Sequence, residues 1–149
     1  MRLPPLNVHT RAAHELVEIT GEVRAALRRT GVAGGLLVVY VPHTTAAVTI
    51  QENADPDVRS DLLLGLENAV PARPARGTYR HAEGNSAAHL KASLVGSSAT
   101  LIVERGDLLL GAWQGIFLCE FDGPRTRTVE LKLVPDVPLP LPPEPDHGG

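Results

Sequence analysis

The run Leu36-Leu37-Val38-Val39-Tyr40-Val41, opened by Gly34-Gly35 and closed by Pro42, constrains the fold of this chain more than any other segment. It is too short for a helix and shows no apolar–polar alternation, the pattern of a strand buried on both faces. A sheet with other elements packed against it is therefore required. Cys119 is the only cysteine, so no intrachain disulfide can help hold that sheet. Stability has to come from a hydrophobic core, and 149 residues with 43% hydrophobic content supply one core and one domain.

The elements around this strand follow from local signals. Val8 and the alternation of Leu16, Glu18 and Thr20 against Val17 and Ile19 predict two short strands joined through Arg11 to His14. Thr20 is placed to cap a helix whose Val23, Ala26 and Leu27 share a face and which ends near Gly31. After Pro42, Thr45 to Ile50 reads as another strand, with Gln51, Glu52, Asn53 and Asp55 at its far end. Asp55-Pro56 starts a helix, because Asp accepts orphan N–H groups and proline has none to lose in the first turn. Leu62, Leu63, Leu66 and Val70 form its apolar side, and Pro71 to Gly77 is a loop. A third helix runs from about Ser86 to Val95, with Ala87, Leu90 and Leu94 expected toward the core and Ser86, His89 and Ser93 on another stripe. Glu104 to Asp107 and Asp122 to Arg125 each predict a hairpin turn between strands. The order β-β-α-β-β-α-α-β-β-β-β describes a single α+β domain with about three helices and a mixed, largely antiparallel sheet.

The domain spans residues 1–134. Residues 135–149 contain six prolines and no periodicity, and they read as a disordered tail. That tail also carries Asp136, Glu144 and Asp146, which account for the excess of 17 acidic over 14 basic residues. A neutral body with two Phe, two Tyr and one Trp lacks the footprint of a nucleic-acid binder. No segment has the roughly 20 apolar residues of a membrane span, nor does the start resemble a signal peptide, so a cytoplasmic protein is expected.

Reactive residue types concentrate at His43, His81 and His89. Three neutral imidazoles could hold a zinc-like ion with one position open, although no metal-ligand spacing motif is present, and ordinary hydrogen-bonded histidines fit as well. His89 lies in the first turn of its helix, where the macrodipole disfavours the imidazolium form. The same helix start, Glu83-Gly84-Asn85-Ser86, offers N–H groups to a phosphate or is simply an ordinary capped helix. Glu52, Asp55 and Glu83 are candidates for proton transfer or for orienting the histidines. Arg125 and Arg127 either grip phosphate or lie exposed after a turn. Cys119 shares a strand face with Trp113, Phe117 and Phe121 and reads as a buried, inert thiol.

The blocks His43-Thr44-Thr45-Ala46-Ala47, Gln51 to Val58, His81-Ala82-Glu83-Gly84-Asn85 through His89-Leu90-Lys91, Gly111 to Ile116, and Phe121 to Arg125 resemble the YjbQ-like family. The resemblance covers Val8 to Val134 and implies a barrel-like α+β fold, a homotrimer with sites near subunit boundaries, and a secondary thiamine-phosphate synthase activity. That reaction joins hydroxymethylpyrimidine diphosphate to hydroxyethylthiazole phosphate. It further implies a site with His43, His81 and His89 on a divalent metal, zinc or magnesium. Glu52, Asp55 and Glu83 would be catalytic, with Asn53, Asn85, Gln114 and Arg125 on a small phosphorylated substrate. Ala112 stands where the family pattern has threonine, which removes a hydroxyl beside Gln114. The alternative is a trimer that binds a metal or a phosphorylated metabolite without turnover.

Overall fold

A computed structural model describes residues 1–138. Eight strands and three helices follow one another as β1 (Arg2–His9), β2 (Glu15–Glu18), α1 (Thr20–Arg28), β3 (Gly35–Tyr40), β4 (Ala46–Glu52), α2 (Pro56–Ala69), α3 (Ser86–Val95), β5 (Ser98–Glu104), β6 (Asp107–Leu108), β7 (Gln114–Glu120) and β8 (Thr126–Pro135). This is the order expected from local signals. The strands form a five-stranded sheet, β1-β8-β3-β5-β6, and a three-stranded sheet, β2-β7-β4, which curl around a shared core as a half-barrel. Every pairing among the described residues is antiparallel, so the sheet has no mixed portion. β8 runs one residue past the expected domain boundary, to Pro135, and residues 139–149 of the proline-rich tail lie outside the described residues.

Turn and cap chemistry account for the clearest boundaries. Arg105 and Gly106 have φ of 53° and 78°. Two positive φ values in a two-residue loop make the tight hairpin between β5 and β6. At α2, Asp55 Oδ1 accepts the Asp57 N–H at 2.9 Å, with Pro56 following as the first helical residue. Thr20, by contrast, is not a cap. It is the first residue of α1, and its hydroxyl donates to Glu18 and accepts the Ile116 N–H, which ties the helix start to β7.

The central strand is buried on one face only. Leu37 and Val39 are fully buried, but Leu36 and Tyr40 are each 45% exposed. Across the outer face, Leu36 stands between Ile102 of β5 and Val134 of β8, leaving an apolar row open. An unbroken apolar run records that a surface is to be covered, not which chain covers it.

α3 turns a different side inward from the one its leucines suggest. Ala87, Ala88, Lys91 and Ala92 are buried, whereas Leu90 and Leu94 are exposed. Small alanines let the helix approach Ala47, Phe117 and Cys119 closely. The Lys91 stem lies inside while its ammonium meets Glu67 of α2 at 2.5 Å.

Asp122 to Arg125 is not a hairpin either, because β7 and β8 belong to different sheets. The segment is the corner where the chain crosses from one sheet to the other. Along β7 the expected alternation holds: Phe117 and Cys119 face one core cluster, and Ile116 and Leu118 face the other. Trp113 lies just outside the strand and is 66% exposed. Burial pushes the Cys119 thiol up to about 12, in keeping with an inert group.

Candidate functional site

The corner at Asp122–Arg125 brings the ends of several elements together around a cleft of about 350 Å³. His43, Thr44 and Thr45 come from the segment between β3 and β4, while Glu83, Asn85 and His89 come from the entry to α3. Asp122, Arg125 and Arg127 come from the corner and the start of β8. A second hollow joins His43 and His89 to Ser93 and Ser97.

A buried ion pair forms the floor. Arg127 is 4% exposed and Glu120 is fully buried. Arg127 donates to both Glu120 oxygens through Nε, at 2.9 and 3.1 Å, and reaches Thr45 Oγ1 at 2.8 Å through Nη2. Thr10 Oγ1 donates to Glu120 Oε1 at 2.7 Å. Burial works to raise the Glu120 carboxyl, but the bonds from Arg127, Thr10 and the Asp122 N–H outweigh it and hold the group below the usual carboxylate range. The Arg127 Nη1 makes no hydrogen bond among the described residues, and Arg127 is one of the residues that line the cleft.

His43 has a fixed proton. Its Nε2 accepts the Thr128 N–H at 2.9 Å, so that nitrogen carries the lone pair and Nδ1 carries the hydrogen. Burial of the ring, and then the Arg127 charge beside it, push His43 below the ordinary histidine value of 6.5. The folded value is therefore depressed. The stability that neutral His43 contributes is complete above pH 6.5 and declines as pH falls through the lower folded value. Thermal denaturation of wild type between pH 7.5 and 5.5 should show a larger loss of Tm than His43→Gln, in which the amide oxygen can still accept the Thr128 N–H. Parallel profiles for the two proteins would contradict this assignment.

The three histidines are neighbours without forming a ligand set. The His81 and His89 rings stand edge to face with centroids 5.5 Å apart, and His81 Nε2 lies 3.7 Å from Glu83. His89 separates the cleft that contains His43 from the groove that contains His81 and Tyr79. With His43 Nε2 engaged and Nδ1 protonated, His43 offers no lone pair to a metal. Among the described residues no group of three or more His, Cys, Asp or Glu side chains could hold a metal ion. A three-histidine centre does not fit this arrangement.

Four of the expected site residues lie elsewhere. Glu52 and Gln114 face each other at the far end of β4 and β7. An extended strand advances ~3.4 Å per residue, so about 20 Å of β4 separates them from Thr45. Gln114 Oε1 accepts the Gly111 N–H, Asn53 Nδ2 donates to Glu18, and Asp55 is spent as the α2 cap. Glu83, Asn85 and Arg125, in contrast, do line the cleft with His43 and His89.

The model of the family described as UPF0047 protein YjbQ-like matches residues 5–136. The chain belongs to the YjbQ/UPF0047 family. YugU of Bacillus subtilis is 50% identical over 132 residues, covering 89% of this chain and 98% of that protein. A crystal structure of an uncharacterized conserved family protein from Clostridium acetobutylicum superimposes with a TM-score of 0.83 at 48% identity, covering 88% of this chain and 99% of the other. A YbjQ-like protein of unknown function from Sulfolobus solfataricus gives a TM-score of 0.84 at 29% identity, covering 90% and 96%. Membership carries the fold. Among the described residues no helix is long and apolar enough to cross a membrane.

Proposed function

We propose that this cleft binds a small phosphorylated substrate and that the protein is a transferase of the thiamine-phosphate synthase type. The observation that carries the proposal is the convergence of Arg127, Arg125 and the neutral, Nδ1-protonated His43 on one cleft. In the reaction, the thiazole nitrogen bonds to the pyrimidine methylene, the carbon–oxygen bond to the diphosphate breaks, and the leaving group departs with the electron pair. Negative charge grows on the diphosphate, and fixed donors stabilise such charge most effectively. Arg127 is held by its buried pair, so it meets that charge without reorganising. His43 acts as a donor to an anionic oxygen, not as a base.

A divalent cation, zinc or magnesium, belongs to this proposal as the counter-ion a diphosphate brings, with Glu83 and Asp122 the carboxylates at hand. Glu52 and Asp55, set at the far end of β4, have no role in the cleft of the same subunit. Assembly as a homotrimer is part of the same reading, with the apolar row Ile102, Leu36 and Val134 on the outer sheet face as a surface for a second copy to cover, and a cytoplasmic location is proposed with it.

The test is a steady-state assay with both thiamine precursors, paired with calorimetric titration of the pyrimidine diphosphate. Loss of one charged hydrogen-bond donor typically costs about 1.5–3 kcal/mol, so Arg125→Ala should lower affinity for the diphosphate by tenfold or more. Product formation in wild type supports the transferase, and binding without product supports the non-catalytic phosphometabolite module. Equal affinity of wild type and Arg125→Ala would sink the cleft as the site.

A further inference from the structure

Asn85 presents a geometry that the phosphate-binding groups do not explain. Its Nδ2 donates to Asp122 Oδ2 at 3.0 Å. The same carboxylate oxygen takes Arg125 Nη2 at 3.0 Å, and the Asp122 carbonyl takes Arg125 Nε at 2.7 Å. An ionised carboxylate only accepts, so it fixes which end of the amide it faces: a reversed amide would set oxygen against oxygen. Burial works to raise the Asp122 carboxyl, but Asn85 and Arg125 outweigh it and hold it below the usual range, so the carboxylate stays ionised near neutrality. Oδ1 must therefore face away from Asp122. It is buried and has no hydrogen-bond partner among the described residues.

Asparagine at a helix entry usually spends this oxygen on a first-turn N–H. Here Asn85 precedes α3 and makes no side-chain cap bond. The oxygen is thus without a partner among the described residues, in a residue that lines the cleft. An acceptor oxygen beside the Asp122 carboxylate calls for a hydrogen-bond donor, not for an anion, while Arg125, bonded to the same carboxylate, remains the cationic group of this part of the cleft. Arg127, Arg125 and His43 supply the donors for the anionic part of the ligand.

We infer that Asn85 is a specificity residue whose Oδ1 accepts a hydrogen bond from an N–H or O–H donor on the ligand, with Asp122 as the positioning residue that holds the amide in this orientation. The ligand is accordingly bifunctional, a phosphate or diphosphate ester whose organic part carries an amino or hydroxyl group. This rests on the reading of the cleft as the phosphorylated-ligand site. It deepens that reading, whose residues account for the phosphate groups alone, by assigning the residue that meets the organic part of the ligand.

Calorimetric titration of the full chain with benzyl phosphate, 3-aminobenzyl phosphate and 4-aminobenzyl phosphate separates the two. One of the amino esters should bind wild type about tenfold or more tightly than benzyl phosphate, the difference a buried, otherwise unmet acceptor produces. In Asn85→Leu that ratio should collapse toward one, whatever the absolute affinity for benzyl phosphate becomes. In Asp122→Asn, where the partner amide can donate and Asn85 can reverse, the ratio should also fall although Asn85 is intact. Equal affinity of wild type for all three esters, or discrimination that survives both substitutions, overturns the role of Asn85 and leaves the cleft as a phosphate site. Failure of all three to bind wild type overturns the cleft reading, and this inference with it.

Discussion

Arg127→Ala should destabilise the fold by about 3–5 kcal/mol, the usual cost of leaving one partner of a buried ion pair alone. A domain of this kind has about 5–15 kcal/mol in total, so the loss is a large fraction of it. The penalty comes from Glu120, which is fully buried and would keep its charge with only Thr10 and backbone N–H groups to balance it. The double substitution Arg127→Met with Glu120→Leu removes both charges and should be much milder than Arg127→Ala. Urea denaturation measures both. A loss below 1 kcal/mol for the single variant, with no gain from the second substitution, would mean that the pair is not the anchor of this corner. The double variant also isolates function from stability: folded, but without Arg127, it should bind the pyrimidine diphosphate poorly.

This pair was within reach of sequence reasoning. Arg127 precedes Val129, Leu131 and Leu133 at a spacing of two, and all three are fully buried on the inner face of β8. Glu120 likewise continues Ile116 and Leu118 on β7. Opposite charges ending two inward-facing rows mark a buried pair, and only the turn between them made Arg127 resemble a surface residue. Element order was legible because each signal is local, as at Asp55-Pro56 or Arg105-Gly106. The partner of each strand was not, since the same corner chemistry at Asp122–Arg125 serves a hairpin and a crossing between sheets equally well.

The candidate site was legible in part for the same reason. Glu83, Asn85 and His89 follow one another closely at the entry to α3, so their proximity could be read along the chain. Glu52, Asn53 and Asp55 follow His43 by about ten residues, yet an extended strand lies between and carries them to the opposite end. The direction of α3 was also hidden. Leucines outweigh alanines in any count of hydrophobicity, but Ala88 and Ala92 are what fit against Ala47 and Phe117.

Gly123→Ala should cost about 3 kcal/mol, because a methyl group there has no room. A Cβ would meet the Ala12 carbonyl oxygen well inside contact distance, with Glu120 Cγ at 2.7 Å and Thr10 Oγ1 at 2.9 Å. The carbonyl is backbone and cannot step aside. Gly123 N–H also donates to Ala13 O at 3.1 Å, and Thr10 N–H and Arg125 O close the same contact at 2.8 Å. Relief must therefore displace Thr10 or Glu120, the two groups that receive or support Arg127. Gly123→Ala and Arg127→Ala consequently act on one structure, and their effects should not add. Neighbours that share a partner show coupling of about 0.5–3 kcal/mol, so the double variant should be less damaged than the sum by an amount in that range. Additivity within experimental error in urea denaturation would separate the corner from the ion pair. Coupling would make the corner the element that sets the position of the Arg127 guanidinium in the cleft.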